Sequence, residues 1–301
     1  VYSAGNDNSC IPPSSPSSGI IMNTALSISL KSLCLLGLLI NHASQADPAT
    51  LNTDKNSLSI PITGSVTQTV TGSDLSHDTH QQLIVTQIAE GVYQHSSFLN
   101  VTNFGLVDAN GLIVVQNKQA YIIDTPWTDN DTATLLEWIK QQGFTAVASI
   151  STHSHQDRAG GIGYLNSQGI NTIVSENTQT ILAETDKPQA QNIFKGQHYS
   201  MHTDLIEVYD MGAGHTKDNL VVWLPKQKIL FGGCLIKSLS SNSMGYIAEA
   251  DMQAWPLTME KIIQEFPHIN QVIPGHGALG DSALLNHTIN LIEKYNSQQL
   301  Q

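Results

Sequence analysis

Arginine is nearly absent from this chain. Arg158 is its one example in 301 residues, and lysine brings the basic total only to 13 against 25 acidic side chains. The formal net charge of −12 excludes nucleic acid and anionic membrane as expected partners, because both repel an acidic surface. Cysteine is scarce too. Of three, Cys10 and Cys34 fall in the first 46 residues, so Cys234 has no partner for an intramolecular disulfide in the remainder. A lone thiol is either a buried, inert side chain or a metal ligand. Long apolar runs are also missing: the one from Ser32 to Ile40 is far shorter than the ~20 residues needed to cross a bilayer, so no membrane anchor is expected. Neither S-x-x-K nor G-x-S-x-G occurs, which removes the usual signatures of covalent serine chemistry.

What is present divides the chain into four parts. Residues 1–21 are rich in Ser and Pro and read as an upstream segment. Residues 22–46 have the layout of a cleaved signal peptide: Lys31 in the n-region, an apolar core to Ile40, and Ser44-Gln45-Ala46 as a small-x-small cleavage site. Taking Lys31 and Asp7 away with the leader leaves 12 basic and 24 acidic residues, so the net charge of the exported protein stays at −12. Residues 47–82 are polar and without periodicity, which predicts a flexible arm, and residues 83–301 form one large domain.

Within that domain, alternation through LIVTQIAEGVYQHSSF, then FGLVDANGLIVV and QAYIIDT, predicts hairpin strands with turns at Asn110-Gly111 and Gln116-Asn117. Thr128, with Asp131 three residues on and Gly143 at the stop, frames an amphipathic helix. Strands are expected at AVASI, NTIVS, LIEVYD, NLVVWLP, KILFGG and QVIP. Helices are expected from about 161 to 168, over NTQTILAETD, from about 254 to 265, and over SALLNHTINLIEKY. Mixed strands with interposed helices imply an α/β fold of sheets whose outer faces are covered by helices.

The stretch THSHQDRAGG carries His153, His155 and Asp157 at alternate positions. In an extended segment these project to one side, with each two-residue step advancing ~6.6 Å, so the outer pair spans more than one ion comfortably needs. Three more candidates follow strands elsewhere: His215 in GAGHTKDN, Cys234 in FGGCLIK and His276 in PGHGALG. Glycines beside each allow the tight turns that aim a ligand. One histidine alone is most often a loop or core residue, and Asp157 alone is satisfied by Arg158. Together the six residues suffice for two zinc sites with positions left open for water.

HSHQDRAGG, GAGHTKDN, GGCLIK and PGHG, in this order and spacing, with IIDTPW before the first helix, resemble the metallo-β-lactamases of subclass B1 over about residues 83–297. The resemblance implies an αββα sandwich and two zinc ions per chain, the first held by His153, His155 and His215 and the second by Asp157, Cys234 and His276. It implies attack on a β-lactam carbonyl by zinc-bound hydroxide, with Asp157 guiding the nucleophile or a proton. Lys237, three residues after Cys234, resembles the family lysine that receives the substrate carboxylate; otherwise it is a solvated loop lysine. Arg158 and Asp124 are expected to orient the ligands from behind, although Asp124 could equally cap its strand end.

In the same resemblance HSSFLNVTNFG is a flap, with Phe98 as an apolar cover and Trp127 as a wall, unless these aromatics belong to the core. Tyr246 stands where many relatives carry asparagine near the carbonyl oxygen. A phenol donates from a different distance, so the metal is expected to dominate charge stabilisation there. The implied protein is a periplasmic monomer acting on penicillins, cephalosporins and carbapenems. Thioesterases and lactonases of the same fold carry HxHxDH, with aspartate where Cys234 stands, and Arg158 occupies the last position of that motif here. A zinc-binding protein without turnover would close its site with protein ligands.

Overall fold

The computed structural model describes residues 67–69 and 82–299; the upstream segment and signal peptide expected at 1–46 lie outside them. Strands β2 (Ile84–Ala89), β3 (Val92–Val101), β4 (Gly105–Gln116) and β5 (Gln119–Ile123) run antiparallel in sequence order. The β4–β5 hairpin closes over Asn117-Lys118, both with positive φ, as a two-residue turn that matches the twist of its strands requires. Strands β6 (Thr145–Ile150), β7 (Asn171–Ser175) and β8 (Asn192–Phe194) extend the sheet in parallel. At the other edge β1 (Thr67–Thr69), inside the stretch expected to be an arm, pairs antiparallel with β2.

The second sheet has the order β13-β12-β11-β10-β9, formed by β9 (His198–His202), β10 (Ile206–Tyr209), β11 (Val221–Leu224), β12 (Ile229–Gly233) and β13 (Gln271–Pro274). Only β12 and β13 pair in parallel. Strands β8 and β9 were not expected: NIF is too short, and HYSMH too polar, to show a strand pattern.

Alternation assigns each strand's two faces. Leu112, Val114, Tyr121 and Ile123 point inward and meet Val208, Val222, Phe231 and Ile273 of the other sheet. Ile113, Ala120 and Ile122 point outward under α1 (Asp129–Gln141) and α3 (Ile162–Ser167), packing on Leu135, Trp138 and Leu165. Val221, Leu230 and Val272 do the same under α5 (Ala254–Glu265) and α6 (Ala283–Gln299), against Trp255, Met259 and Leu285. Both faces of the central strands are buried, which is why they read as continuous apolar runs. The result is the expected αββα sandwich.

Thr128 caps α1 as expected: Asp131 N–H donates to its Oγ1 at 3.1 Å, and the hydroxyl donates to Asp131 Oδ2 at 2.8 Å. Two expectations fail. Asn110-Gly111 is not a turn but lies mid-strand in β4, opposite Ser96 and His95. Asn110 is satisfied there by tertiary partners. Gly111 is needed because a Cβ would lie 2.3 Å from His95 Nε2 and 2.6 Å from the Ile123 carbonyl. Nor is the HxHxD stretch extended throughout: Asp157 lies in a single helical turn, α2 (Gln156–Ala159). This curls the chain and relieves the excessive span of a straight segment.

Candidate metal centre

The candidate ligands occupy loops that follow the carboxyl ends of strands between the two sheets. His153 and His155 come after β6, Asp157 lies in α2, His215 lies between β10 and β11, Cys234 follows β12 and His276 follows β13. The parallel pair β12/β13 brings the last two together. Gly275 permits that approach, since a Cβ there would stand 2.8 Å from Cys234 Sγ.

Two donor clusters result. Ligand atoms of His153, His155 and His215 lie within 4.8 Å of one another, as do those of His153, Asp157 and Cys234. His215 Nε2 is 3.3 Å from His155 Nδ1. Cys234 Sγ lies 3.1 Å from Asp157 Oδ2 and 3.2 Å from His276 Nε2, and the last two atoms are 3.2 Å apart. All six residues expected as ligands are therefore gathered in one place.

These groups fit metal cations. Both ring nitrogens of His153 are buried without a protein partner, and a cation on the one that carries the lone pair would relieve part of that cost. Burial, followed by His155 for His153 and by Lys237 for His215, holds both imidazoles well below the usual histidine range, leaving them neutral as ligation requires. Burial alone would raise Asp157, but Arg158 and His276 hold its carboxyl well below the usual range. Burial also opposes protonation of His276, yet Cys234 and Asp157 outweigh it and raise the imidazole to about 10. Thiol, carboxylate and imidazole thus demand positive charge between them, and mixed N, O and S donors suit zinc.

Arg158 lies behind this cluster and is fully buried. Its Nε donates to Asp157 Oδ2 at 2.9 Å, Nη1 to Asp124 Oδ2 at 3.2 Å and to the Asn110 carbonyl, and Nη2 to the Gly275 carbonyl at 2.7 Å. Asp124 accepts Thr152 N–H at 2.6 Å and its hydroxyl at 2.9 Å, so it braces the start of the metal loop. Burial pushes Asp124 up to about 6 against the pull of Arg158 and Thr152.

Lys237, Trp127 and Tyr246 line a cavity of about 520 Å³ that also contains His155, Asp157, His215 and His276. Lys237 is not a solvated loop residue. It is 9% exposed, its ammonium sits 5.4 Å from the Trp255 ring centroid, and burial lowers its basicity. Tyr246 is 44% exposed and its hydroxyl donates to Glu249 Oε1 at 3.2 Å.

Phe98 requires correction as the flap residue over this cavity. It lines a separate cleft with Gln94, Ser96 and Asp108. Period-two alternation decides this: Ser97, Leu99 and Val101 share one face of β3, where Ser97 Oγ accepts Trp127 N–H at 3.1 Å, and Phe98 faces the other way. The flap's apolar contribution comes from Val101, Phe104 and Val107.

Sequence reasoning missed three supports. Asn110 Nδ2 donates to the carbonyls of Pro274 at 3.0 Å and Gly277 at 2.8 Å, the loop that carries His276. The Asp108 carbonyl accepts from His276 Nδ1. Glu249 meets His155 Nε2 at 3.0 Å. Only the unexpectedly polar Asp108 and Asn110 within an apolar strand offered a signal.

Two mixed sheets between helices, with two donor clusters at the strand ends, define a metal-binding αββα sandwich. A model of the Metallo-beta-lactamase superfamily matches residues 105–276. The "Metallo-beta-lactamase type 2" of Pseudomonas aeruginosa is 41% identical over 206 residues, covering 68% of this chain and 82% of that protein. The one from Bacteroides fragilis is 36% identical over 213 residues, covering 70% and 86%. Among solved structures, DIM-1 metallo-β-lactamase exposed to ceftazidime has a TM-score of 0.71 at 44% identity, over 72% of this chain and 100% of that one. TMB-1 has a TM-score of 0.70 at 46% identity, over 71% and 98%. The chain belongs to the metallo-β-lactamase superfamily, in its subclass B1.

Proposed function

We propose that the protein is a zinc-dependent β-lactamase that hydrolyses the β-lactam amide bond of penicillins, cephalosporins and carbapenems, and so protects its host from them. The observation that carries this reading is a pair of donor clusters beside one cavity whose wall includes a buried lysine. His153, His155 and His215 would hold one ion, and Asp157, Cys234 and His276 the other. Bound zinc supplies Lewis acidity and lowers the pKa of its water to about 7, making hydroxide available at neutral pH.

The chain's own residues bind the substrate and orient the water. Lys237 receives the substrate carboxylate, a contact strengthened by the partial exclusion of water around its ammonium. Trp127, with Val101 and Phe104 from the flap, supplies apolar wall for the bicyclic core. Asp157 Oδ2 is committed to Arg158, Cys234 and His276, whereas Oδ1 takes no part in those contacts and can orient the attacking water by accepting its hydrogen bond. Tyr246 contributes the face of its ring, because its hydroxyl is already donated to Glu249. Among the described residues no helix is long and apolar enough to cross a membrane. The signal-peptide pattern at 22–46 supports export to the periplasm, where the protein would act as a monomer.

The test is turnover of a carbapenem and a cephalosporin by the purified protein, before and after chelation, and again with zinc restored. Loss on chelation and recovery with zinc is the expected result. A folded, zinc-loaded protein that opens neither drug would overturn the proposal.

A further inference from the structure

Among the three clustered histidines, His155 differs in how its second ring nitrogen is held. His153 has no protein partner at either nitrogen and His215 has none at Nδ1, whereas His155 Nε2 lies 3.0 Å from Glu249 Oε2. The other oxygen of Glu249 accepts the Tyr246 hydroxyl at 3.2 Å, and the Tyr246 ring meets the His155 ring edge-on with centroids 5.5 Å apart. The three side chains close a triangle on the cavity wall, and two of them come from the irregular segment between β12 and α5.

The chemistry follows from the geometry. A carboxylate at Nε2 selects the tautomer with the proton there, leaving the lone pair on Nδ1. Nδ1 is the atom that faces His215 Nε2 at 3.3 Å, inside the histidine cluster. The Tyr246 contact restrains the carboxylate that makes this choice. We propose that Glu249 is a positioning residue of the metal centre: it fixes the tautomer and ring orientation of His155 and ties the Tyr246 segment of the cavity wall to the metal ligands. The inference rests on the zinc reading above and adds to it a carboxylate outside the six ligands.

The test compares the whole wild-type protein with Glu249→Ala, Glu249→Gln and Tyr246→Phe. Zinc affinity is measured by competition with a chromophoric chelator, and histidine tautomers by ¹⁵N NMR of the zinc-loaded proteins. Glu249→Ala should weaken zinc about 10-fold, the lower end of the effect of such outer partners because Glu249 is half exposed. It should also remove the protected Nε2–H signal of His155, with the thermal midpoint of the metal-free protein unchanged. Glu249→Gln, whose carbonyl still accepts the hydrogen bond, should recover part of the affinity and restore the signal, and it carries the test if the alanine variant does not fold. Tyr246→Phe should stay within about two-fold in affinity, since the His155 contact persists. Equal zinc affinity and an unchanged His155 signal in Glu249→Ala would overturn the positioning role alone. A wild type that takes up no zinc would overturn the zinc reading, and this inference with it.

Discussion

Replacing Arg158 by methionine keeps much of the buried volume and removes every donor of the guanidinium. Asp124 and Asp157 lose their cation, and the carbonyls of Asn110 and Gly275 lose an N–H inside the protein. Breaking a buried ion pair costs about 3–5 kcal/mol, and each stranded carbonyl adds about 1–3 kcal/mol. Two features reduce the sum. Asp124 keeps both bonds from Thr152, and its carboxyl, already pushed up to about 6 by burial, can take a proton instead of standing as a bare charge. A net loss of about 4–6 kcal/mol is therefore expected, close to the whole stability of a marginal domain. At about 2–4 °C per kcal/mol, the thermal midpoint should fall by roughly 10–20 °C. The assay is thermal and urea unfolding of the metal-free protein followed by circular dichroism. Arg158→Lys should recover less than half, because a point ammonium cannot replace a fork that reaches four acceptors. A loss under about 1 kcal/mol for the methionine variant would refute the reasoning, by showing that the guanidinium's desolvation cancels its contacts.

Asn110→Ala removes two bonds that hold the His276 loop; unfolding free energy should fall by about 2–4 kcal/mol and zinc should be released more readily, and unchanged values of both would contradict the bracing role. His95 is buried and lowered to about 3, chiefly by desolvation, so the unfolded chain takes up its proton near pH 6.5 and the folded one does not. Its contribution to stability is complete above about 6.5 and is lost as pH falls towards 3, and the loss reaches about 2 kcal/mol at pH 5. Urea midpoints at pH 7 and 5 should accordingly converge in His95→Gln relative to wild type, and an equal acid loss in both would exclude His95 as the source. Lys237→Ala should raise KM for a cephalosporin by about 10- to 100-fold with a smaller change in kcat, the cost of one charge-assisted bond. Steady-state kinetics decide it, and an unaltered KM removes Lys237 from the substrate site.

Legibility followed locality. The strands from β2 to β7 and β10 to β13, together with the Thr128-capped helix, were readable because apolar period and capping are written in neighbouring residues. The six candidate donors stood out because they sit in short motifs at strand ends, and the fold brings their side chains together. Asn110-Gly111 misled for the opposite reason. As a dipeptide it has the composition of a turn, but its function is met by residues more than 160 positions away, through the carbonyls of Pro274 and Gly277. Phe98 misled by one step of strand register, a choice of face that depends on which neighbour the sheet buries. β8 and β9 carry too little pattern of their own and exist because adjacent strands offer unpaired edges.

The sequence by itself determined the layered α/β class, the donor types and their order, the acidic surface and the thiol without a disulfide partner, since all are properties of composition and short-range spacing. Only the tertiary structure decided that Asp157 turns inward on α2, that Arg158 reaches acceptors on Asn110, Asp124 and Gly275 as well as on its neighbour Asp157, that Lys237 is buried beside Trp255, and that Glu249 meets His155. Those outcomes depend on which charges share a water-poor interior, and such pairings are set by packing across segments that the chain order keeps apart.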